Sequence, residues 1–357
     1  MHAAAADLPR PDAAPALRIT LLRGGPGPER SVSFASGAEI AAALRRRGHC
    51  VHEADIGPDD LAALDAPADV IFIGLHGEFG EDGALQRILE QRGLKFTGSG
   101  AAASALAMNK IDAKRVAQCC GAQTAAWRHI RAADWPATRA AALATPDRAA
   151  RASPPHAAGP AGTKDKPGRT EAAGRQADDL SDLSAPLVVK PVASGSSVET
   201  HVLPRADRDT IFTAIDRVLA AFGEALVERF IPGQETTVAV LEGRALPPIV
   251  IRPRAQFYDY RAKYEADDTE YLFDALPSPV LDGLMRGSEA IFAGLGCRHL
   301  ARVDWIVDAA GTPWFLEANT LPGFTSHSLA PKAAARAGIG FDELCDRLAR
   351  LALESRR

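Results

Sequence analysis

Apolar runs alternate with amphipathic segments over residues 17–99 of the chain. The stretches 19–22 and 70–75 are apolar runs of strand length, and each leads into a glycine-rich turn. A helical pattern follows each run, ending near Arg47 and near Gln91. This alternation predicts a parallel α/β sheet, with ligands expected at the carboxyl ends of its strands.

Segments after residue 99 also show strand-like and helix-like patterns, but in a different order. A helical pattern from about Ala101 to Cys120 precedes the strand Leu187 to Lys190. A further amphipathic helix has an apolar stripe made of Ile211, Ile215, Val218, Leu219 and Phe222. Residues from about 137 to 185 are rich in Ala, Pro, Arg, Gly and Asp. Because such a composition buries little apolar surface, we expect a mobile insertion there.

Polar residues interrupt an otherwise apolar pair of predicted strands at 301–307 and 313–320. A turn centred between residues 310 and 311 sets Asp304 across from Glu317, unless a bulge shifts the register by one. Because side chains alternate along a strand, Asn319 then lies on the same face as Glu317. Facing carboxylates in apolar surroundings are costly without a compensating cation. Since all three side chains offer oxygen, the pattern favours Mg²⁺ over zinc, with a solvated strand face as the alternative.

Composition restricts the classes of function open to the chain. Its 357 residues, 46% hydrophobic and 24% charged, can build two or three globular domains. A net charge of -4 gives no footprint for nucleic acid or an anionic membrane. Five cysteines without zinc or disulfide spacing, together with the lack of an export signal or bilayer-spanning run, predict a reduced, cytoplasmic protein.

Several segments suggest nucleotide chemistry, each with a plainer alternative. Lys190 precedes a Gly/Ser loop at 194–198 that is typical of phosphate binding, although such loops are often mere connectors. The G-x-G-x-x-A match at 98–103 lacks the acidic residue of a dinucleotide site, so we interpret it as a domain junction. The aromatic segment 257–264 predicts a loop that folds over a ligand or binds a partner. Arg302 and the N–H of Gly323 are candidate donors to an oxyanion.

Taken in order, these motifs form one larger pattern. The segments are 24–33, 76–83, 97–110, 190–198, 257–264, 302–304 and 317–329. Together they resemble the D-alanine:D-alanine ligases of the ATP-grasp superfamily, from about residue 17 to residue 348 without the insertion. The resemblance implies an α/β (α+β) chain with a three-domain ATP-grasp fold. The implied parts are a disordered extension 1–16, an N-terminal α/β substrate domain 17–99, a central ATP-grasp domain 100–227 containing the insertion, and a C-terminal catalytic domain 228–357.

The activity implied by this resemblance is ATP-dependent joining of two D-alanines into the dipeptide used for peptidoglycan. The first carboxylate attacks the γ-phosphate to give an acyl phosphate, and the second amine then displaces phosphate through a tetrahedral intermediate. ATP and two Mg²⁺, with Mn²⁺ as a substitute, are the implied cofactors. The expected partners are small molecules, with neither nucleic acid nor membrane, and a homodimer is left open.

The resemblance also assigns roles to individual residues. The implied metal ligands are Asp304, Glu317 and Asn319. The implied nucleotide-binding residues are Lys110, Lys190, Glu228, Arg229, Ile231 and Glu235. The implied catalytic residues are Glu29, Ser196, Tyr264, Arg302 and Gly323, the first three as a hydrogen-bonded triad and the last two as oxyanion donors. The implied substrate-binding residues are His76 near the first alanine, Lys263, and Ser328 and Leu329 for the second carboxylate.

Three positions depart from the family pattern. Glu199 stands where the family usually has Gly, so nucleotide affinity should suffer by like-charge repulsion unless the carboxylate points away. Asn109 replaces a common Asp, and Arg229 replaces Lys. The open alternatives are a ligase that uses D-serine or D-lactate as second substrate, a nucleotide-binding homologue without turnover, and, most weakly, a dinucleotide-dependent oxidoreductase.

Overall fold

The computed structural model describes residues 15–27, 29–144, 183–195, 199–252 and 269–355. Its contacts divide the chain into two compact units. The first unit comprises Met1–Thr124, Ala193–Ser196 and Pro232–Arg357, and the second comprises Ala125–Val192 and Ser197–Ile231. This division places residues 101–124 with the N-terminal segment, whereas the sequence assigned them to a central domain. The three-domain boundaries stay a prediction.

The described elements follow one another along the chain. The strands are β1 (Arg18–Arg23), β2 (Cys50–Asp55), β3 (Val70–Ile73), β4 (Gln123–Thr124), β5 (Trp127–Arg131), β6 (Leu187–Pro191), β7 (His201–Leu203), β8 (Glu224–Arg229), β9 (Gly233–Leu241), β10 (Arg244–Ala245), β11 (Ile249–Arg252), β12 (Glu270–Phe273), β13 (Leu300–Asp308) and β14 (Pro313–Asn319). The helices are α1 (Arg30–Arg46), α2 (Ala84–Gln91), α3 (Ala101–Met108), α4 (Lys110–Cys119), α5 (Trp135–Ala144), α6 (Arg208–Phe222), α7 (Ser278–Gly294), α8 (Leu329–Arg336) and α9 (Phe341–Glu354).

A parallel sheet opens the first unit. Its strand order is β2-β1-β3, which confirms the parallel α/β organisation predicted for this segment. The four residues of β3 are all buried, so the strand reads as a continuous apolar run rather than an alternating one. The loops after β1 and β3 leave the carboxyl edge of the sheet, and they carry Glu29 and His76.

The hairpin β13–β14 belongs to a seven-stranded sheet in the first unit. Asp304 pairs with Glu317 and Arg302 pairs with Asn319, so the predicted facing of the two carboxylates is confirmed. A register shift between Asp304 and Trp305 marks a β-bulge, and the pairing of Asp304 with Glu317 is kept beside it. Because directly paired residues share a face of the sheet, four polar side chains converge there.

The opposite face of the same hairpin forms part of the hydrophobic core. Trp305 and Phe315 meet edge to face with their ring centroids 5.9 Å apart. The Trp305 indole N–H donates to Ser288 Oγ on α7 at 3.0 Å, which satisfies the polar end of a buried side chain. This packing fixes the strand and therefore the positions of the polar side chains on its other face.

One predicted helix is divided into two in the structure. The helix predicted from Ala101 to Cys120 is broken at Asn109, whose backbone is extended and whose side chain accepts hydrogen bonds from the N–H groups of Ile111 and Asp112. Short polar side chains favour such caps over helix interiors. The break makes Lys110 the first residue of α4.

The second unit contains the antiparallel sheet β5-β8-β6-β7, with α5 and α6. The stripe of α6 is buried as predicted at Ile211, Ile215, Val218 and Leu219. The prediction is wrong for Phe222, which is 39% exposed at the last residue of the helix. The insertion also begins later than expected, because residues 137–144 belong to α5. Alanine-rich sequence favours helix, and Trp135 anchors α5 against Phe212 with ring centroids 5.3 Å apart.

Residues 145–182 of the predicted insertion lie outside the described residues. All five cysteines are described, and none of them is in a disulfide. Within the described ranges, none of the helices combines the length and the apolar character that a membrane crossing demands.

Candidate active site

A cavity of about 660 Å³ in the first unit collects most of the predicted site residues of that unit. The predicted residues in its wall are Glu29, His76, Lys110, Arg302, Glu317, Asn319, Gly323, Ser328 and Leu329. They come from five separate parts of the sequence, so their convergence is a property of the fold and not of local spacing.

Asp304 lies behind this wall rather than in it. Its carboxylate accepts from Arg302 Nε at 2.9 Å and Nη2 at 2.8 Å, and from the Thr237 hydroxyl at 2.5 Å. Thr237 is paired with Asp304 on the neighbouring strand β9, which brings its buried side chain to the same face. Arg302 therefore links the buried carboxylate to the cavity.

Lys110 neutralises the second carboxylate of the hairpin. Its ammonium lies 3.5 Å from Glu317 Oε2 and donates to the carbonyl of Ser194 at 2.6 Å. The Asn109 cap sets this lysine at the start of α4 with its side chain nearly buried. The Asn319 side-chain oxygen, in turn, accepts from the Leu321 N–H at 2.8 Å, which orients the amide.

Glu29 stands at the N-terminus of α1 and is only 8% exposed. A Cβ at Gly77 would meet Glu29 Oε2 at 2.4 Å, and Gly77 has a φ of +73°. Both the space and the backbone conformation therefore require glycine beside this carboxylate. A Cβ at Gly195 would lie 3.8 Å from the same oxygen, which places the beginning of the Gly/Ser loop next to Glu29.

His76 is buried in the same wall of the cavity. Its Nε2 is 3.0 Å from Ser36 Oγ, and its Nδ1 is 3.8 Å from Glu81 Oε1. That glutamate oxygen also accepts from the N–H of Gly77 at 3.0 Å. Both ring nitrogens thus face polar partners, so the imidazole is held in a defined orientation.

Another part of the cavity wall is the turn that enters α8. Ser328 occupies the N-cap position of this helix, and its hydroxyl accepts from the Thr325 N–H of the preceding turn at 3.0 Å. A Cβ at Gly323 would approach Ser328 Oγ to 3.3 Å, so the turn is tight. Phe324 anchors it by packing against Phe72 and Phe341, with ring centroids 6.2 Å and 5.5 Å apart.

The remaining predicted nucleotide residues lie elsewhere. In the second unit, Lys190 Nζ is 2.6 Å from Glu228 Oε1, and both side chains are buried. Arg229 donates to the Ser184 carbonyl at 2.6 Å, and Ile231 is half-buried at the end of that unit. Glu235 lies on β9 of the first unit. Ser196, Lys263 and Tyr264 lie outside the described residues, so their roles stay predictions.

Glu199 is held by two partners in the second unit. Its carboxylate lies 2.9 Å from His201 Nε2 and accepts from Arg217 Nη2 at 3.0 Å. These hydrogen bonds lower the pKa of Glu199. Its φ of +48° belongs to the left-handed region, which glycine adopts at less cost than glutamate.

We expect Glu199→Gly to change the KM for ATP by less than about fivefold, because a partly exposed, paired carboxylate exerts little net field. Arg217→Gln removes one neutralising partner and should raise this KM more than Glu199→Gly does. Steady-state kinetics at fixed ionic strength measures both. A KM for ATP that falls tenfold or more in Glu199→Gly would show instead that the carboxylate repels the nucleotide.

Sequence reasoning missed four side chains of this region. Ser36, Glu81 and Lys332 line the cavity, and Thr237 donates to Asp304 behind its wall. Thr237 carries no signal in the sequence, because its contact with Asp304 depends on strand pairing across 67 residues. Lys332 could have been found, since it follows Ser328 by one helical turn.

Comparisons with known proteins agree on one family. The family model described as D-ala D-ala ligase C-terminus matches residues 165–350, and that described as D-ala D-ala ligase N-terminus matches residues 51–99. The D-alanine–D-alanine ligase of Anaeromyxobacter dehalogenans strain 2CP-C is 39% identical over 333 residues, covering 93% of this chain and 95% of the relative. That of Gloeobacter violaceus is 37% identical over 335 residues, covering 93% and 98%.

Solved structures show the same likeness in three dimensions. The D-alanine–D-alanine ligase from Bacillus anthracis, complexed with ATP, has a TM-score of 0.71 at 28% identity, covering 95% of this chain and 98% of that one. The VanG D-Ala:D-Ser ligase from Enterococcus faecalis has a TM-score of 0.73 at 22% identity, covering 95% and 100%. At that lower identity, the second likeness concerns the fold alone.

Proposed function

The chain belongs to the D-alanine–D-alanine ligase family and has its ATP-grasp fold, and on that premise we propose how its residues carry out the ATP-dependent joining of two D-alanines. The observation that carries the proposal is that the polar hairpin face, Glu29 and His76, and the α8 turn all converge on one cavity. Two amino-acid subsites flanking a set of charged groups are what this reaction needs.

The first D-alanine binds beside Glu29 and His76. The buried Glu29 carboxylate pairs with its ammonium group, and the oriented imidazole of His76 lies next to it. The free carboxylate of this alanine then attacks the γ-phosphate of ATP, forming a carboxyl–phosphate bond and releasing ADP. The product of this step is an acyl phosphate.

The second D-alanine binds at the α8 turn. Its carboxylate accepts hydrogen bonds from the Ser328 hydroxyl and the Leu329 N–H, at the positive end of the helix. Its deprotonated amine attacks the acyl carbon, and the tetrahedral intermediate collapses to release phosphate. Arg302 and the N–H of Gly323 stabilise the oxyanion, a contribution of about 3 kcal/mol for each well-placed donor.

The hairpin provides a fit for Mg²⁺. No cluster of three His, Cys, Asp or Glu side chains occurs among the described residues, so a site here consists of two carboxylates and one amide. Asp304, Glu317 and Asn319 offer only oxygen, and Mg²⁺ commonly takes few protein ligands and completes its shell with water and phosphate. These residues would hold Mg²⁺, and the ion would supply positive charge to the phosphate oxygens.

The lysines provide charge for the nucleotide. Lys110 and Lys190 are each paired with a glutamate, Glu317 and Glu228 respectively. We propose that the phosphates replace these glutamates as lysine partners, which frees Glu317 for the metal. Glu228, Arg229, Ile231 and Glu235 take the adenosine, while Ser196, Lys263 and Tyr264 complete the substrate and phosphate contacts. A cytoplasmic role in peptidoglycan precursor synthesis belongs to the same proposal.

The test is a coupled assay of ADP release with D-alanine, D-serine and D-lactate at fixed Mg²⁺. We expect D-alanine to give one ADP for each dipeptide, and ADP release to stop when Mg²⁺ is removed by a chelator. Mass spectrometry of the products under competition identifies the preferred second substrate. Tight ATP binding by calorimetry without any dipeptide would contradict the proposal and favour a homologue without turnover.

A further inference from the structure

Lys332 is a cation in the cavity wall that none of the assignments above employs. It lies on α8, one turn after Ser328, and its side chain is half-buried. Its ammonium donates to the carbonyl of His327, which belongs to the peptide bond between His327 and Ser328. The same nitrogen lies 4.6 Å from the ring centroid of Tyr271, which also lines the cavity.

The surroundings of Lys332 leave its charge without an anionic partner. Within the described part of the chain, no Asp or Glu oxygen forms an ion pair with it. Burial lowers the pKa of the Lys332 ammonium. Among the described residues this half-buried cation contacts a carbonyl and an aromatic face, which solvate it poorly, so an incoming anion gains more there than at an exposed lysine.

The α8 turn also explains why such a charge is useful. Ser328 contributes a neutral hydroxyl, Leu329 contributes a neutral N–H, and Pro331 contributes no N–H at all. Neutral donors favour a carboxylate over a carboxamide oxygen less strongly than a cation does. A cation next to them favours the carboxylate.

We infer that Lys332 is a specificity-determining residue that binds the carboxylate of the second amino acid, the amine donor. The inference rests on the proposed placement of that substrate at the α8 turn. Lys332 thereby restricts the amine donor to molecules with a free α-carboxylate, and disfavours amino-acid amides and esters.

A competition between D-alanine and D-alaninamide isolates this role. D-alaninamide has no carboxylate to phosphorylate, so it enters the reaction only as amine donor. Mass spectrometry measures the ratio of D-alanyl-D-alanine to D-alanyl-D-alaninamide, which is independent of the amount of folded enzyme. In Lys332→Gln we expect the ratio to fall about tenfold, the usual loss for a hydrogen bond to a charged group.

Kinetics and variants complete the experiment. In Lys332→Gln the KM for the second D-alanine should rise about tenfold while kcat stays within about twofold, since the contact forms in both the ground and transition states. Lys332→Arg should restore most of the ratio. Arg336→Gln is the matched control, because Arg336 lies one turn further along α8, pairs with Asp274 at 2.7 Å and does not line the cavity.

Two outcomes would overturn the inference. An unchanged product ratio in Lys332→Gln means that the lysine does not recognise the carboxylate. A fall in kcat with the ratio unchanged means that Lys332 only positions the His327 carbonyl and its turn. If the unsubstituted enzyme makes no dipeptide from D-alanine alone, the proposed function itself is wrong. That result is distinct from an unchanged product ratio, which contradicts only the role of Lys332.

Discussion

Asp304→Asn is expected to lower kcat by about a thousandfold, the scale of losing a central electrostatic group, while the protein still folds. The substitution preserves shape but removes the charge that we assign to Mg²⁺. The carboxylate is 5% exposed and receives hydrogen bonds from Arg302 and Thr237, so no water can replace it easily. Dipeptide formation measures the loss, and electron paramagnetic resonance with Mn²⁺ measures metal affinity independently of turnover.

A matched control lies on the same strand. Asp308 accepts from the N–H groups of Ala310 and Thr312 and from the Trp314 indole, all at 2.9 Å. The bond from Trp314 is the largest cause that lowers the pKa of Asp308. Asp308→Asn should therefore lower the melting temperature but leave kcat and Mn²⁺ affinity nearly unchanged. Full turnover in Asp304→Asn would refute the metal assignment.

The polar face of the hairpin could be predicted from the sequence because its information is local. A period of two and a short turn fix which residues of β13 oppose those of β14, so the facing of Asp304 and Glu317 follows from counting. Thr237 contacts the same carboxylate but belongs to a strand 67 residues away. Its register depends on the packing of the whole sheet, which no local pattern contains.

Competition between local preferences explains the errors. Asn109 lies within a helical pattern, yet its side chain caps the next helix and divides the pattern in two. Residues 137–144 were predicted to belong to the insertion, yet alanine favours helix once Trp135 provides an anchor. Phe222 fits the period of its stripe, but the helix ends there and leaves the ring half in solvent.

The likeness to a family supplied what local patterns could not, namely the roles of residues that are distant in sequence. Glu29 and Ser328 give no chemical signal by themselves, and each is an ordinary helix-start residue. Only the fold brings them to one cavity. The same likeness left Lys332 without a role, which the geometry of the α8 turn now provides.

Arg302→Lys is expected to separate the two chemical steps. Arg302 makes a two-pronged contact with Asp304, through Nε and Nη2, and also lines the cavity. Lysine retains the charge but has one nitrogen, so it cannot bind the carboxylate and an oxyanion with the same geometry. If Arg302 stabilises the tetrahedral intermediate, the substitution slows amine attack more than acyl-phosphate formation. We expect dipeptide formation to fall about a hundredfold or more.

Trapping the intermediate distinguishes this role from a simple structural one. Hydroxylamine converts an acyl phosphate into a hydroxamate, so Arg302→Lys should still yield hydroxamate and ADP while dipeptide is lost. Without hydroxylamine, the ratio of ADP to dipeptide should exceed one. Water hydrolyses the acyl phosphate when attack by the amine is slow. Arg252→Lys is the control, since Arg252 lies on β11 of the same sheet, opposite Glu270, and outside the cavity wall. If hydroxamate and dipeptide fall together in Arg302→Lys, then Arg302 acts in phosphoryl transfer through Asp304, because a defect confined to the oxyanion would spare the first step.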